Sequence, residues 1–332
     1  MHRFAIISAV VALAAAPATR TATPPGSAAP VDAGSRTFKF HYGVTIRDIP
    51  PDAKHLAIWV PIPQTDRHQT VRDLKIQSPL PYRTETEPRY GNTVLHLESD
   101  SPLPPTIDLV LDAVVERQAY RVLGDGAKDT SPGDDKPSKR DLEADRLVPI
   151  DGKIAVTAAE VTRDAKTPMQ TARAIYDYVT QELKYDKSGQ GWGRGDAIYA
   201  CDVRKGNCTD FHSLIIGMAR ASGIPARFVI GFPLPDDRKQ GDISGYHCWA
   251  ELYVKGVGWL PVDSSEASKH PEKREQFFGG LDANRVTFST GRDLELRSAS
   301  DPLNFLVYPH VEVDGKPFGG VDKRFSFSDL GT

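Results

Sequence analysis

The most informative segment of this chain runs from Gly206 to Leu214 and reads GNCTDFHSL. Asn207 is a preferred helix N-cap and Asp210 takes the third helical position, so a helix is predicted to begin at Cys208. One face of that helix is apolar and carries Phe211, Leu214, Ile215 and Met218. The sulfur of Cys208 then lies at the helix entrance, where unsatisfied N–H groups and the helix dipole favour a thiolate, the nucleophilic form of cysteine.

A nucleophilic thiolate needs a base or ion-pair partner, and two histidines are candidates. His212 lies one turn after Cys208, so spacing alone lets its ring approach the sulfur. His247 begins a predicted strand that turns through residues 255–258 into a second strand, which ends at Asp263. The Asp263 carboxylate can accept the second ring N–H of His247 and fix its tautomer. Judged by spacing alone, a structural and partly buried His247 is an equally good interpretation.

The register between these two strands decides whether His247 and Asp263 meet. Even pairing around Gly256-Val257 places Asp263 opposite Ala250, on the face away from His247. A connection of three or five residues, or a β-bulge, restores the shared face. The alternative role for Asp263 is local capping of the turn that follows it.

Four segments together resemble the transglutaminase-like superfamily. They are GNCTDFHSL (206–214), GIPAR (223–227), YHCWAE (246–251) and GWLPVD (258–263). The resemblance covers roughly residues 147–267 and includes the order Cys, His, Asp. It implies a papain-like α+β core in which the cysteine starts a helix packed against a sheet that carries the histidine and the aspartate.

The resemblance also implies a chemistry and the roles of three residues. Cys208 is the nucleophile, His247 the base and acid, and Asp263 the orienting carboxylate of a Cys-His-Asp triad. The expected reaction is acyl transfer or hydrolysis at a peptide or glutamine-type amide through a Cys thioester, with an amine or water as acceptor. The expected class is therefore a transglutaminase-like cysteine acyltransferase or peptidase acting on a protein or peptide substrate.

The oxyanion of such a reaction needs hydrogen-bond donors. One candidate is the backbone N–H of Cys208. A second donor is expected from the glycine-rich loop at 188–195, either the indole N–H of Trp192 or the side-chain amide of Gln190. Simple packing explains Trp192 equally well.

Three cysteines in an exported chain leave one unpaired. A disulfide between Cys201 and Cys248 is the pairing that spares Cys208, and free buried cysteines are the alternative. Strand alternation points Cys248 to the sheet face opposite His247, which argues against a second nucleophile.

Two interpretations from other classes stay open. A structural zinc module would use Cys201, Cys208, His212 and Cys248, although these spacings fit no familiar paired-ligand motif. A catalytically silent protein-binding module would keep the same fold. Because no Asp-rich calcium loop is visible, the sequence predicts no metal and no other cofactor.

The rest of the 332-residue chain predicts an arrangement of domains around this core. Alternating apolar residues at 37–123 predict an antiparallel β-sandwich domain that precedes the core. Residues 124–146 are polar and predict an exposed linker. The catalytic core occupies 147–270 and includes a helix capped by Thr167. A short C-terminal β-rich segment is predicted at 271–332.

The amino terminus predicts export. Residues 1–22 combine a basic start, a short apolar run and an Ala-rich cleavage zone, as in a signal peptide, and 23–36 read as a flexible tail. A buried N-terminal helix is the alternative. A secreted or periplasmic protein without a transmembrane anchor is expected. The net charge of -3 with interspersed signs gives no footprint for nucleic acid.

Overall fold

The computed structural model describes residues 34–123 and 136–331. The predicted signal peptide, most of the predicted tail and the first part of the predicted linker lie outside the described residues. The strands are β1 (Ser35–Ile46), β2 (His55–Pro61), β3 (Gln69–Gln77), β4 (Tyr82–Thr86), β5 (Thr93–Asp100), β6 (Ile107–Gln118), β7 (Tyr120–Arg121), β8 (Lys184–Tyr185), β9 (Lys205–Gly206), β10 (Ala226–Pro233), β11 (Gln240–Asp242), β12 (His247–Val254), β13 (Gly258–Val262), β14 (Gly280–Leu281), β15 (Arg285–Thr290), β16 (His310–Val313), β17 (Lys316–Pro317) and β18 (Val321–Asp329). The helices are α1 (Gly152–Val161), α2 (Pro168–Glu182), α3 (Ala197–Val203), α4 (Cys208–Ala221) and α5 (Ser264–Lys269), with 3₁₀ turns at Lys139–Leu142 and Pro271–Lys273.

Two antiparallel sheets form a β-sandwich. Their strand orders within the described residues are β11-β18-β1-β6-β3 and β17-β16-β2-β5-β4. Alternate residues of β1 are buried, namely Phe38, Phe40, Tyr42, Val44 and Ile46. They share one hydrophobic core with Leu56, Ile58 and Val60 of β2. The period-two pattern of the sequence therefore marks the face that each strand turns inward.

The carboxyl-terminal strands join sheets that begin much earlier in the chain. β18 pairs along its whole length with β1, from Phe38↔Asp329 to Ile46↔Val321. β16 pairs with β2, and β15 pairs with β10 of the core. The predicted C-terminal β-rich segment thus contributes to the sandwich and to the core, while the domain bounds stay a prediction.

The papain-like core contains a sheet ordered β13-β12-β10-β15, with helices packed against it. Helix α4 packs against β10 and β12, and α1, α2 and α3 cover its other sides. Because of that cover, α4 is buried from Cys208 through Arg220 rather than along one stripe. This sheet with its helical layer, together with the sandwich, confirms the predicted α+β class with a papain-like core and an antiparallel β-sandwich.

The helix signals of the sequence match the structure at α2. Thr167 Oγ1 accepts the Gln170 N–H at 3.2 Å, and Pro168 takes the first helical position. None of the helices within 34–123 and 136–331 is long and apolar enough to cross a membrane.

The last part of the predicted linker is largely exposed, although Asp141 and Asp145 within it are buried. Arg220, in the last turn of α4, donates to the Asp145 carboxylate at 2.7 Å, and both side chains are buried. The same guanidinium donates to the Glu143 carbonyl at 2.7 Å. These contacts anchor the end of the segment to α4, and the pairing with Arg220 offsets the burial of the Asp145 carboxylate.

Candidate active site

Cys208 is the first residue of α4, and a capping box fixes the backbone around it. Asn207 Oδ1 accepts the Thr209 N–H at 3.0 Å, and the Asp210 carboxylate accepts the Asn207 N–H at 3.0 Å. A side chain at Gly206 would overlap the Asp210 carboxylate, so only glycine fits directly before the cap. The helix therefore begins at Cys208, as predicted, with the thiol at its positive end.

Asp210 also ties the glycine-rich loop to this helix start. Its two carboxylate oxygens accept the N–H groups of Gly193 at 2.7 Å and Gly195 at 3.0 Å. A Cβ at Gly193 would lie 3.4 Å from Asn207 Nδ2, so the loop passes beside the residue that precedes the nucleophile. In the same loop Trp192 is partly buried and Gln190 is exposed. Their roles as oxyanion donors stay predictions.

The register of the β12–β13 hairpin brings His247 and Asp263 together. Val254 pairs with Gly258, which leaves a three-residue connection, one of the odd-length forms that place both residues on one face. His247 Nε2 lies 2.7 Å from Asp263 Oδ2, and the carboxylate is fully buried. The ring thus has its orienting carboxylate in direct hydrogen-bond contact.

Asp263 also makes the local contacts of the alternative interpretation. As N-cap of α5 its Oδ1 accepts the Glu266 N–H at 3.1 Å and the Ser265 hydroxyl at 3.2 Å. One oxygen serves the helix and the other serves His247. The carboxylate thus makes the contacts that each of the two interpretations requires.

Arg285 completes the environment of Asp263, and sequence reasoning missed it. Its guanidinium donates to Asp263 Oδ2 at 3.1 Å and to Asp282 Oδ2 at 3.1 Å, and it lies over the Trp249 ring at 5.0 Å. Burial would raise the pKa of Asp263, but the charges of His247 and Arg285 hold it well below its usual range. Asp263 is therefore a carboxylate in the folded protein. Arg285 lies outside the four matched segments, so no local pattern indicated it.

The electrostatics favour an ion pair between Cys208 and His247. Burial alone would raise the pKa of the Cys208 thiol, but hydrogen bonds from Cys248 and His247 and the His247 charge lower it to about 5. Burial would lower the pKa of His247, but the charge and hydrogen bond of Asp263 and the Cys208 contact raise it to about 10. Between these values the pair is a thiolate and an imidazolium, the reactive form of a cysteine nucleophile.

His212 lies close to the Asp263 carboxylate, but its ring is neutral where that of His247 is charged. Its Nε2 is 3.7 Å from Asp263 Oδ1, which is beyond hydrogen-bond distance. Burial lowers the pKa of His212 to about 4 despite the opposing charge of Asp263. The ring is therefore neutral at neutral pH, and its position favours His247 as the partner of the thiolate.

Cys248 does not form the disulfide with Cys201 that the cysteine count suggested. All three cysteines are free, and Cys201 Sγ lies 3.7 Å from Thr157 Oγ1. Cys248 Sγ instead lies 3.5 Å from His212 Nδ1. Strand alternation predicts that Cys248 points away from His247. It did not reveal that this other face is the one covered by α4.

A second feature missed by sequence reasoning joins the residues that directly precede Cys208 and His247. Asn207 Nδ2 donates to the Tyr246 hydroxyl at 2.9 Å. Tyr246 packs in turn against Phe305 and Tyr308, with ring centroids 6.0 and 5.8 Å apart. This bond connects the start of α4 to the start of β12 and fixes their spacing. The two aromatic partners come from the C-terminal segment, far along the chain.

The ligand set of the zinc interpretation is not assembled. Cys208, His212 and Cys248 lie together, whereas Cys201 contacts Thr157 from α3. Among residues 34–123 and 136–331, no group of three or more His, Cys, Asp or Glu side chains is arranged to hold a metal ion.

A papain-like core with a cysteine at a helix entrance and a His–Asp pair on the facing sheet defines a class of thiol-dependent proteins. Residues 155–264 match the transglutaminase-like superfamily core. The chain is 30% identical over 312 residues to an uncharacterized protein of Haemophilus influenzae, covering 81% of this chain and 84% of that protein. We conclude that the chain belongs to the transglutaminase-like superfamily.

Two further similarities concern the sequence and the fold. An uncharacterized Bacillus subtilis protein, YebA, is 23% identical over 133 residues, which are 36% of this chain and 18% of that longer protein. A candidate cysteine protease from Cytophaga hutchinsonii has a similar structure, with a TM-score of 0.62 and 18% identity. That likeness covers 90% of this chain and 92% of the other, so it extends over sandwich and core alike.

Proposed function

We propose that this protein is a cysteine acyltransferase or peptidase that acts on an amide through a thioester at Cys208. In this mechanism the Cys208 thiolate attacks the amide carbonyl, and His247 then protonates the leaving nitrogen. His247 next removes a proton from the acceptor, an amine or water, which attacks the thioester and releases Cys208. Asp263 holds the ring orientation and stabilises the imidazolium in both steps.

The observation that carries this proposal is the 2.7 Å bond between His247 and Asp263 beside a cysteine at a helix start. His247 acts electrostatically on that cysteine and helps to lower the pKa of the Cys208 thiol to about 5. The side chains of Cys208, His247 and Asp263 are buried, so their charges act with little screening from water. Arg285 keeps Asp263 ionised and thereby supports the imidazolium at His247.

The substrate class follows from the chemistry of the thioester. A peptide bond or a glutamine side chain supplies the amide carbonyl, so the proposed partner is a protein or peptide. An amine acceptor would give cross-linking or conjugation, and water would give deamidation or cleavage. The amino-terminal pattern supports export, which would make the substrate an extracytoplasmic protein.

A mass-spectrometric assay tests the reaction and its acceptor together. The purified protein is incubated with glutamine-containing peptides, with and without putrescine as a primary amine. Amine adducts indicate a transferase, acid products indicate a deamidase, and shortened peptides indicate a peptidase. Product that forms equally well with Cys208→Ala contradicts the proposed mechanism.

The burial of Cys208 favours a second candidate, a catalytically silent protein-binding module. The residue is 1% exposed, so a substrate carbonyl reaches it only if the surrounding loop or aromatic side chains move. Labelling with iodoacetamide separates the two candidates. If Cys208 resists alkylation in the native protein and no peptide is turned over, the binding module is the better description.

A further inference from the structure

A cavity of about 400 Å³ is lined by residues of both the core sheet and the sandwich. Trp249 of β12 lines it from the core side. Because Cys248 contacts His212 of α4, strand alternation turns Trp249 to the opposite face of the sheet. Residues 64–68 and 90–92, which connect strands of the sandwich, contribute to the same wall. The volume is within the usual range of small-molecule sites, roughly 300–1,000 Å³.

Two buried donors in the cavity wall lack an acceptor. Arg117 of β6 and Trp249 are 2% and 1% exposed, and both line the cavity. Within the part of the chain that the structure describes, neither Arg117 Nε nor Trp249 Nε1 meets a hydrogen-bond acceptor. The guanidinium carbon of Arg117 lies 5.9 Å from the centroid of the Trp249 ring, so the two donors belong to groups in contact. A buried N–H without a partner is destabilising, and one ligand that supplies acceptors would satisfy both.

The contacts that Arg117 makes leave its charge only partly balanced. Its Nη1 donates to the Thr287 hydroxyl at 3.2 Å, and its contact with the Asp66 carboxylate is long, at 3.4 Å. The same carboxylate accepts the backbone N–H of His68 at 2.7 Å. Asp66 is exposed, so water screens its attraction to the guanidinium. The buried Arg117 therefore retains the capacity to bind an anion.

The charged residues of the cavity wall leave an excess of one positive charge. Glu251 is paired with Arg227 at 2.6 Å. His68 adds no charge, because burial lowers its pKa to about 3. A ligand with one negative charge would balance the wall. The described residues that set this balance are three cations against two anions, namely Arg67, Arg117, Arg227, Asp66 and Glu251.

We propose that this cavity binds a carboxylate joined to an apolar group, with Arg117 and Trp249 as its hydrogen-bond donors. A carboxylate has two oxygens in one plane, the geometry that a guanidinium recognises best. The apolar part packs against aromatic rings, which bury large areas. A peptide that ends in an apolar residue and a small organic acid share this chemistry. The aromatic side chains that line the cavity beside Trp249 include Tyr90, Tyr120 and Trp259.

The indole of Trp249 connects the cavity to the proposed triad. Its ring centroid lies 6.4 Å from that of His247, and the Arg285 guanidinium lies 5.0 Å over it. Arg285 in turn donates to Asp263 at 3.1 Å. Cys208, His247 and Asp263 are not among the described residues that line the cavity. The carboxylate site is therefore separate from the thioester site, and its ligand contacts a side chain that packs against the triad.

Calorimetric titration with a matched pair of probes tests the proposal. N-acetyl-phenylalanine carries a carboxylate and an aromatic side chain, and N-acetyl-phenylalanine amide keeps the ring without the charge. We expect the acid to bind with 1:1 stoichiometry and the amide to bind at least about tenfold more weakly, since it offers no charged hydrogen bond to Arg117. Equal affinities, or no saturable binding of the acid, overturn the proposal.

Two further probes identify the source of the carboxylate. One is a tripeptide that ends in phenylalanine, and the other is 3-phenylpropanoate, which has the ring and the carboxylate without a peptide group. Tighter binding of the tripeptide indicates a peptide terminus as the ligand. Tighter binding of 3-phenylpropanoate indicates a small organic acid.

Two variants test the donors. Trp249→Phe keeps an aromatic ring without the N–H and should weaken acid binding about threefold to tenfold, whereas Arg117→Gln should weaken it more than about tenfold. Trp59→Phe is the matched control, because its indole N–H donates to the Arg297 carbonyl at 3.0 Å outside this cavity, and it should leave the affinity unchanged. Thermal melts show whether each variant is folded. The comparison of acid and amide on the wild type stands even if one variant is not.

Cys208→Ala separates this inference from the proposed function. We expect this variant to bind the acid with wild-type affinity although it turns over no amide. Acid binding that is lost in Cys208→Ala and retained in Arg117→Gln would place the carboxylate at the triad and overturn the proposal. An acid that binds while no peptide is turned over contradicts the proposed function alone, and turnover without acid binding contradicts the carboxylate site alone.

Discussion

Two cysteine–histidine pairs lie side by side in this core, and they differ in how Asp263 meets each histidine. His247, the partner of Cys208, is 2.7 Å from the carboxylate, whereas His212, the partner of Cys248, is 3.7 Å away. The first histidine has its pKa raised to about 10 and the second has it lowered to about 4. Identical residue types in one buried site thus reach opposite charge states. At His247 the carboxylate of Asp263 and the contact with Cys208 together offset burial, whereas at His212 the charge of Asp263 does not offset burial and the charges of His247 and Arg285 lower the pKa further.

The pKa values of the Cys208 and Cys248 thiols also shift in opposite directions. Cys208 sits at the entrance of α4 with the imidazolium beside it, and its pKa is lowered to about 5. Cys248 sits inside β12, and burial together with the neighbouring thiolate raises its pKa well above the usual range. A cysteine and a nearby histidine are therefore not enough to lower a thiol pKa. The sulfur must also lie at a helix start and contact a charged ring, as Cys208 does and Cys248 does not.

The largest expected difference in turnover is between the variants that remove the Cys208 sulfur and the Cys248 sulfur. We expect Cys208→Ala to abolish amide turnover, because no other group in the triad forms a thioester, while Cys248→Ala keeps turnover within about tenfold of wild type. Cys208→Ser should also be nearly inactive, since a hydroxyl is much harder to ionise than a thiol. The measurement is kcat/KM on the best peptide of the mass-spectrometric screen. Equal losses in the two alanine variants would erase the distinction between the pairs.

The next contrast concerns the two histidines. His247→Ala should lower kcat by about 10²–10⁴-fold, the usual contribution of positioned proton transfer, with further loss from the missing ion pair. His212→Ala removes a neutral ring and should cost much less in kcat, although the cavity lowers the melting temperature. Steady-state kinetics with thermal melts of both variants check this. If His212→Ala is the inactive variant, the assignment of the base is wrong.

Asp263→Asn tests the carboxylate that separates the two pairs. The amide keeps the shape but favours the wrong tautomer of His247, so we expect a loss on the order of 10² in kcat, below the ~10⁴ of the serine-protease template, because the imidazolium still faces Cys208. Ser265→Ala is the matched control, as it removes a 3.2 Å bond to the other carboxylate oxygen and should leave kcat unchanged. Undiminished turnover in Asp263→Asn would reduce Asp263 to a helix cap.

The sequence predicted those parts of the site that short segments encode. The cap at Asn207 fixed where α4 begins, and the odd connection in the hairpin was identified as the condition for a His247–Asp263 contact. Both features depend on residues a few positions apart in the chain, so short sequence motifs predict them well.

The parts it did not predict depend on pairing across the fold. Arg285 reaches Asp263 from β15, and the aromatic partners of Tyr246 come from residues beyond 300. The place of Cys248 was missed for a related reason. Alternation along a strand gives the relative faces of two residues but not which layer covers each face, so the approach of α4 to Cys248 had no local signal.

The smallest expected effect is the most direct test of the ion pair, and it concerns the pH dependence of alkylation. A thiol reacts with iodoacetamide as its thiolate, so the rate falls about tenfold for each pH unit below its pKa. N-acetylcysteine, with an ordinary thiol pKa of about 8.5, should react nearly a hundredfold more slowly at pH 6 than at pH 8. Because the pKa of Cys208 is lowered to about 5, its rate should change little over this interval and fall only as the pH drops below 5.

Burial slows the approach of the reagent to Cys208, but it does so equally at each pH, so the ratio of rates isolates the thiolate fraction. The modified peptide at residues 206–220 reports this cysteine alone after digestion. In His247→Ala the hydrogen bond and the charge that oppose burial are lost, and the profile should shift toward higher pH. A wild-type profile that follows N-acetylcysteine would mean that burial prevails and that Cys208 and Cys248 are electrostatically alike.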